Sequence, residues 1–199
     1  MSESVEVWRA RLAAFPRIAV DPAGRRAAGV AIGIVAADDP YVLLIKRASR
    51  GRNAGQWAFP GGRLEPGEDA VTAALRETEE EIGVAAEPSS VLGLLDDFVA
   101  DSGFVITPVV LHLPGSTEPR RNPDEVHSVH RIPLRRLASD DLPEWAQLPD
   151  GRPLLRMPLR RDVVVHAPTG AILWQFREVV LLDRPTRVAD LAQPAFTRT

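Results

Sequence analysis

The 199-residue chain has no cysteine and no long apolar run. Without cysteine it can form neither a disulfide framework nor a zinc–thiolate site, which fits the cytoplasmic location that we expect. A transmembrane helix needs about 18 consecutive apolar residues, and the sequence contains no run of that length, so we expect no membrane partner. The charged start MSESVEVWRARLAAF does not resemble a secretory signal.

Neither sign of charge is in large excess, since the net charge is −3 and 26% of the residues are charged. This balance argues against a general nucleic-acid binder, although a local basic patch stays open. Lys46 is the single lysine, and all other basic side chains are arginine. Abundant Arg, Ala and Pro are typical of a GC-rich genome, and guanidinium groups also suit phosphate binding.

Hydrophobic periodicity predicts a mixed α+β fold. The strongest helix is predicted over residues 69–82, with Asp69 as its N-cap and Gly83 just beyond its end. Further helices are predicted over 3–15, 133–139 and 176–183. Strands are predicted at 28–37, 41–47, 91–100, 104–113 and 126–134, with a hairpin over 161–176. Segments 49–68 and 139–161 are rich in Gly or Pro and are predicted to be mainly irregular.

Long helices do not alternate regularly with these strands, so a doubly wound parallel sheet is not expected. A mixed α+β sandwich is favoured. We predict a helical arm at residues 1–25 and one domain at residues 26–199. Two roles are open for the arm: it covers the sheet, or it pairs with a second copy in a homodimer.

The stretch RETEEEIG crowds four glutamates into the five residues from Glu77 to Glu81. On a helix Glu77, Glu80 and Glu81 stand at i, i+3 and i+4, so their carboxylates are predicted to converge on one face. Such a cluster is costly unless a cation lies between the carboxylates. A hard divalent ion that bridges to phosphates meets this need. The alternative is a solvated acidic helix face.

The sequence around the glutamates favours the metal. GGRLEPGEDAVTAALRETEEEIGV resembles the signature of the Nudix hydrolase family, G-x5-E-x7-R-E-U-x-E-E-x-G-U, in which U is aliphatic. Thr78 departs from the pattern at the first U position. The resemblance implies an α/β/α sandwich on a mixed sheet. It also implies cleavage of a nucleoside diphosphate linked to another group, with Mg²⁺ or Mn²⁺ as cofactor.

The same resemblance assigns roles to residues. It implies that Glu77, Glu80 and Glu81 bind the metal and that Arg76 orients them through a salt bridge. The general base varies among such proteins, and the candidates are Glu80 and Glu125. Glu125 lies in the predicted loop RRNPDEV, where a solvated acid without a catalytic role is the alternative.

The segment LLIKRASRGRNAGQWAFPGG resembles the one that precedes the signature in the coenzyme A pyrophosphatase branch. The implied products are 3′,5′-ADP and (acyl-)4′-phosphopantetheine. Other nucleoside diphosphate derivatives, such as ADP-ribose, dinucleoside polyphosphates or damaged nucleotides, are alternative substrates, and a non-catalytic binding module is the alternative of another class. The branch has an arginine where this chain has Gly51. The implied substrate-binding residues are Arg47, Arg50, Arg52, Phe59, Gly61 and Gly62.

Overall fold

The computed structural model describes residues 4–48 and 55–194. Its helices are α1 (Val5–Ala14), α2 (Ala70–Ile82), α3 (Leu134–Leu137) and α4 (Thr169–Phe176), the last continuing as a π-helical segment over Arg177–Leu181. Its strands are β1 (Arg26–Ala36), β2 (Tyr41–Arg47), β3 (Trp57–Ala58), β4 (Gly61–Arg63), β5 (Val91–Leu94), β6 (Phe98–Ala100), β7 (Phe104–Pro114), β8 (Val126–Pro133), β9 (Glu144–Gln147), β10 (Pro153–Arg160) and β11 (Val163–Val165).

Strands β1 and β7 form the centre of the main sheet. They pair in parallel over their whole length, from Arg26 opposite Phe104 to Ala36 opposite Pro114. Both are long apolar runs, as expected for strands that are covered on two faces. The remaining pairings that the structure describes in this sheet are antiparallel. The sheet is therefore mixed, as predicted.

The sheet forks between β1 and β2. These strands pair where Ile34 lies opposite Val42, and beyond that point each takes a different neighbour. The N-terminal half of β1 pairs with β4, and the end of β2 pairs with β3. The segment between residues 49 and 68 was predicted to be mainly loop, and these two strands were missed because they are two and three residues long. The fork places residues 57–63 at the mouth of a cleft.

Helix α2 covers one face of the sheet. Asp69 caps the start of the helix, because its Oδ1 accepts a hydrogen bond from the Thr72 N–H at 2.8 Å. Gly83 ends the helix: with a left-handed φ of 64°, it directs its N–H to a backbone carbonyl of the last turn. Ala74 and Ile82 are fully buried against β1 and β7. Burying one such isoleucine contributes about 2–3 kcal/mol. The predicted helix and both of its caps are confirmed.

The opposite face carries the larger core, which α1, α4 and β10 complete. Trp8 and Leu12 of α1 are buried in the same core as the sheet residues. Helices thus lie on both sides of a mixed sheet, which confirms the predicted α+β sandwich. The division into an arm of residues 1–25 and a domain of residues 26–199 stays a prediction, as does the homodimer. Within residues 4–48 and 55–194 no helix is both long and apolar enough to span a bilayer.

Three predictions from residue 91 onward are wrong. The region 139–161 is not irregular, because β9 and β10 form a three-stranded antiparallel sheet with β11. The predicted hairpin over 161–176 is strand β11 followed by helix α4, so the closing helix begins earlier, at Thr169. Segment 91–100 is two strands, β5 and β6. It breaks at Asp96 and Asp97, whose carboxylates bind groups outside the sheet.

Candidate active site

A cleft of about 790 Å³ opens beside the fork between β1 and β2. Three carboxylates, those of Glu77, Glu81 and Glu125, belong to its lining. Much of the rest of the wall is apolar and comes from β3, β7, β11 and α4. The apolar side chains include Trp57, Phe59, Phe104, Ile106, Val165 and Ile172. The cleft therefore joins an acidic part to an apolar part.

Glu81 is the most deeply placed of the three acids, with 1% of its surface exposed. Its Oε2 accepts the backbone N–H of Gly61 at 3.0 Å, and its Oε1 lies 3.4 Å from Arg47 Nη1. Burial raises the pKa of Glu81 to about 7. The Gly61 amide and Arg47 lower this pKa in part, while the negative charges of Glu77 and Glu125 raise it further. The protein therefore compensates only part of the cost of burying the ionised Glu81 carboxylate.

Glu77 lies against the backbone of β4. A Cβ added to Gly62 would stand 2.0 Å from Glu77 Oε1, so this approach requires glycine at position 62. The pKa of Glu77 is raised, first by burial, although its hydrogen bond to Arg76 opposes this. Glu77 and Glu81 are one helical turn apart and both reach the cleft.

Arg76 forms hydrogen bonds with three carboxylates, those of Glu68, Glu77 and Glu80. Its Nε and Nη2 donate to the two oxygens of Glu68 at 2.9 and 3.1 Å. Its Nη1 donates to Glu77 at 3.0 Å and to Glu80 at 2.9 Å. The pKa of Glu68 is lowered mainly by the Arg76 hydrogen bond. Arg76 therefore contacts Glu77 directly, and the orienting role that the family resemblance implies for it stays a prediction.

Glu80 is not brought into the cleft. Its side chain is 54% exposed and pairs with Arg76. Residues 80 and 81 are separated by 100° around the helix, so when Glu81 points into the protein Glu80 points away from it. Of the three glutamates predicted to converge, the structure brings Glu77 and Glu81 to the cleft together with Glu125, whereas Glu80 pairs with Arg76 beside Glu77. A metal-binding role for Glu80 stays a prediction. In the described part of the chain no three or more His, Cys, Asp or Glu side chains form a ready-made metal site.

The residues present still fit a hard divalent cation. Mg²⁺ commonly takes one or two protein carboxylates and completes its shell with water and substrate phosphates. Glu77 and Glu81 offer two such oxygen donors, and burial disfavours the ionised form of each. A cation bound between Glu77 and Glu81 would instead favour the ionised form of both carboxylates.

The structure describes four of the six predicted substrate-binding residues. Arg47, Phe59, Gly61 and Gly62 line the cleft. Phe59 is almost fully buried there, and Arg47 contacts Glu81. Arg50 and Arg52 lie outside the described residues.

The part of the apolar wall formed by Phe104, Ile106, Val165 and Ile172 was not predicted from the sequence. Phe104 and Ile106 stand two apart on β7, and this alternation could have placed them on one face. Val165 of β11 and Ile172 of α4 come from the C-terminal third and reach the cleft through the packing of these two elements. No local pattern indicates that contact.

Comparisons with known proteins agree with this geometry. The NUDIX domain model matches residues 25–154. A protein named "Uncharacterized Nudix hydrolase NudL" from Citrobacter koseri is 38% identical over 121 residues, which cover 60% of this chain and 63% of that protein. Its namesake from Yersinia pestis is 39% identical over 119 residues, or 59% and 60% of the two chains. The matches thus span about three-fifths of the length of these curated relatives.

Solved structures show the same fold. A MutT/nudix family protein from Enterococcus faecalis has a TM-score of 0.56 at 18% identity, covering 81% of this chain and 65% of that chain. The Nudix hydrolase RenU from M. smegmatis has a TM-score of 0.51 at 18% identity, covering 82% and 89%. At this identity the likeness concerns the fold alone.

Proposed function

The chain belongs to the Nudix family, and from this we propose that it is a Mg²⁺- or Mn²⁺-dependent pyrophosphohydrolase that cleaves the diphosphate of coenzyme A or an acyl-coenzyme A. The observation that supports this most directly is the composition of one cleft. Glu77, Glu81 and Glu125 share it with an apolar wall that suits the non-nucleotide part of such a substrate. The resemblance of residues 43–62 to the coenzyme A pyrophosphatase segment supports the choice of substrate.

The reaction is a hydrolysis of one phosphoric anhydride. Water adds to one phosphorus of the diphosphate, the bridging P–O bond breaks, and the proton lost by the water passes to a carboxylate. The products are 3′,5′-ADP and (acyl-)4′-phosphopantetheine. A divalent ion bound at Glu77 and Glu81 supplies charge compensation on the phosphate oxygens and lowers the pKa of a bound water.

The protein residues have separate tasks in this proposal. Glu77 and Glu81 hold the ion, and Arg76 keeps Glu77 in position through its 3.0 Å hydrogen bond. Both candidate bases are exposed, but Glu125 is the better supported, because it belongs to the lining of the cleft whereas Glu80 does not and is paired with Arg76. Arg47 sits beside Glu81 in the same lining and can turn toward a phosphate oxygen.

A substrate comparison tests the proposal. Purified protein with Mg²⁺ or Mn²⁺ is expected to release 3′,5′-ADP from coenzyme A with a kcat/KM well above that for ADP-ribose or a dinucleoside polyphosphate. The opposite ranking would overturn the choice of substrate while leaving the enzyme class intact. Glu125→Gln is expected to lower kcat on the order of a hundredfold or more, and Glu80→Gln, its matched control on α2, to change kcat much less.

A further inference from the structure

A group of positively charged side chains borders the cleft on the face of the sheet opposite α2. Lys46 lies at the end of β2, where it stands opposite Ser128 of β8 and opposite Trp57 of β3. Ser128 Oγ is 2.7 Å from His130 Nε2. The His130 ring meets the Trp57 indole edge to face, with ring centroids 4.4 Å apart. Trp57 itself lines the cleft, so this group is continuous with it.

Arg160 completes the group from β10. Its Nη2 donates to the carbonyl oxygen of Arg131 at 2.8 Å, which holds its guanidinium beside the neighbouring His130. The pKa of His130 is lowered first by burial and then by the positive charges of Arg160, Lys46 and His127. Three cationic or titratable neighbours therefore act on one imidazole.

In the part of the chain that the structure describes, no carboxylate neutralises the positive charges of Lys46 and Arg160. Among residues 4–48 and 55–194, neither Lys46 nor Arg160 forms an ion pair with an acidic side chain. Arg160 is exposed, and Lys46 and His130 are partly exposed. Cations that repel one another without a carboxylate between them raise the energy of the free protein, and an anion that binds among them removes this cost. The surrounding chain has a net charge of −3, so the group is a local exception to its composition.

We propose that Lys46, His130 and Arg160 form a subsite for a phosphate monoester of the substrate, separate from the diphosphate seat at Glu77 and Glu81. This inference rests on the proposed function, because coenzyme A carries such a monoester at the 3′ position of its ribose. Lys46 supplies a point charge, Arg160 a planar fork, and His130 an N–H donor that gains a proton next to an anion. The Trp57 indole lies between the subsite and the cleft and provides a flat surface at the level of the nucleoside.

The test compares equilibrium binding of 3′,5′-ADP and 5′-AMP, which differ only by the 3′-phosphate, at constant ionic strength. Calorimetry needs no turnover, so the test does not depend on hydrolysis. Wild-type protein is expected to bind 3′,5′-ADP at least about tenfold more tightly, as one charge-assisted contact predicts. Lys46→Ala and Arg160→Ala are each expected to reduce this preference about threefold or more, and the double variant to remove it. Arg161→Ala is the matched control, since Arg161 is exposed and adjacent to Arg160, and is expected to keep the preference.

The outcomes separate the subsite from the wider proposal. Equal binding of 3′,5′-ADP and 5′-AMP by the wild type overturns the subsite, as does an equal loss of preference in the control. If the preference is present but coenzyme A is not hydrolysed, the subsite stands and the proposed activity fails.

Discussion

Replacing Glu81 by glutamine is expected to stabilise the metal-free protein at pH 8 while abolishing metal-dependent hydrolysis. Burial holds the pKa of this carboxyl at about 7, against an ordinary value of 4.5. The folded state therefore binds the proton more tightly than the unfolded state. The resulting stability is complete below pH 4.5 and is lost as the pH rises through 7. Above pH 7 the fold carries an ionised group that it accommodates poorly.

The magnitude follows from these values. One pKa unit corresponds to about 1.4 kcal/mol, so the ionised Glu81 costs the fold on the order of 3 kcal/mol at pH 8. Glutamine removes this cost, and the attraction between Arg47 and the carboxylate is already contained in the pKa, so it is not subtracted again. The expected gain is therefore on the order of 3 kcal/mol at pH 8, and it falls to about 1 kcal/mol or less at pH 5 because the wild-type carboxyl is then protonated in the fold.

Urea unfolding in EDTA at pH 5 and pH 8 measures this difference. Glu80→Gln is the control, because Glu80 is exposed and its removal relieves no buried charge. It is expected to give no gain at either pH. The reasoning is refuted if Glu81→Gln is no more stable than wild type at pH 8, or if its gain is the same at both pH values.

Three further substitutions test other contacts. Gly62→Ala is expected to push the Glu77 carboxylate at least about 1 Å from its place, since the new Cβ would lie 2.0 Å from Oε1. Mn²⁺ affinity and kcat should then fall on the order of a hundredfold. In a Glu77→Ala background, Gly62→Ala should cause no further loss, because the displaced carboxylate is already absent. Gly29→Ala places a Cβ 2.1 Å from the Ala70 backbone oxygen and should lower the free energy of unfolding by about 2 kcal/mol or more, which thermal denaturation would show; a loss under 0.5 kcal/mol would contradict the packing of α2 on β1. Asp69→Ala removes the side-chain acceptor for Thr72 N–H and should cost about 1 kcal/mol in urea unfolding, with Asp69→Asn as the variant that keeps it.

Features encoded by local patterns were predictable from the sequence. The helix at 70–82 follows from the spacing of its apolar residues, from Asp69 and from Gly83, and all of these have the predicted roles. Strands β1, β2 and β7 are long apolar runs and were found with errors of about two residues at their ends. Here propensity, capping and burial all favour the same structure.

Features that depend on distant contacts were not predictable. Strand β10 contains two prolines, and both β9 and β10 contain charged residues, a composition that indicates loop. The strands form because Leu155, Met157 and Leu159 of β10 are buried in the main core. The apolar run at 171–176 was given strand character, yet packing against β10 makes it part of helix α4. A short stretch of sequence does not show where tertiary packing overrides the local preference for helix, strand or loop.

The site was predicted in part for the same reason. Spacing on the helix correctly grouped the glutamates with Arg76, but it could not tell which side chains face the cleft. That choice depends on Gly62 lying under Glu77 and on the Gly61 amide reaching Glu81. Glu125 is 44 or more residues away from these glutamates in sequence and comes beside them through the loop before β8.

The central claim is that Glu77 and Glu81 together hold a divalent ion in the cleft. Anomalous diffraction from crystals soaked in Mn²⁺ tests it without any assumption about substrate. A manganese peak is expected at bonding distance from both carboxylates in the wild type and in Glu80→Gln, and no such peak is expected in Glu81→Gln. A peak bound only at Glu68 or Glu80, or no peak within the cleft, would contradict it.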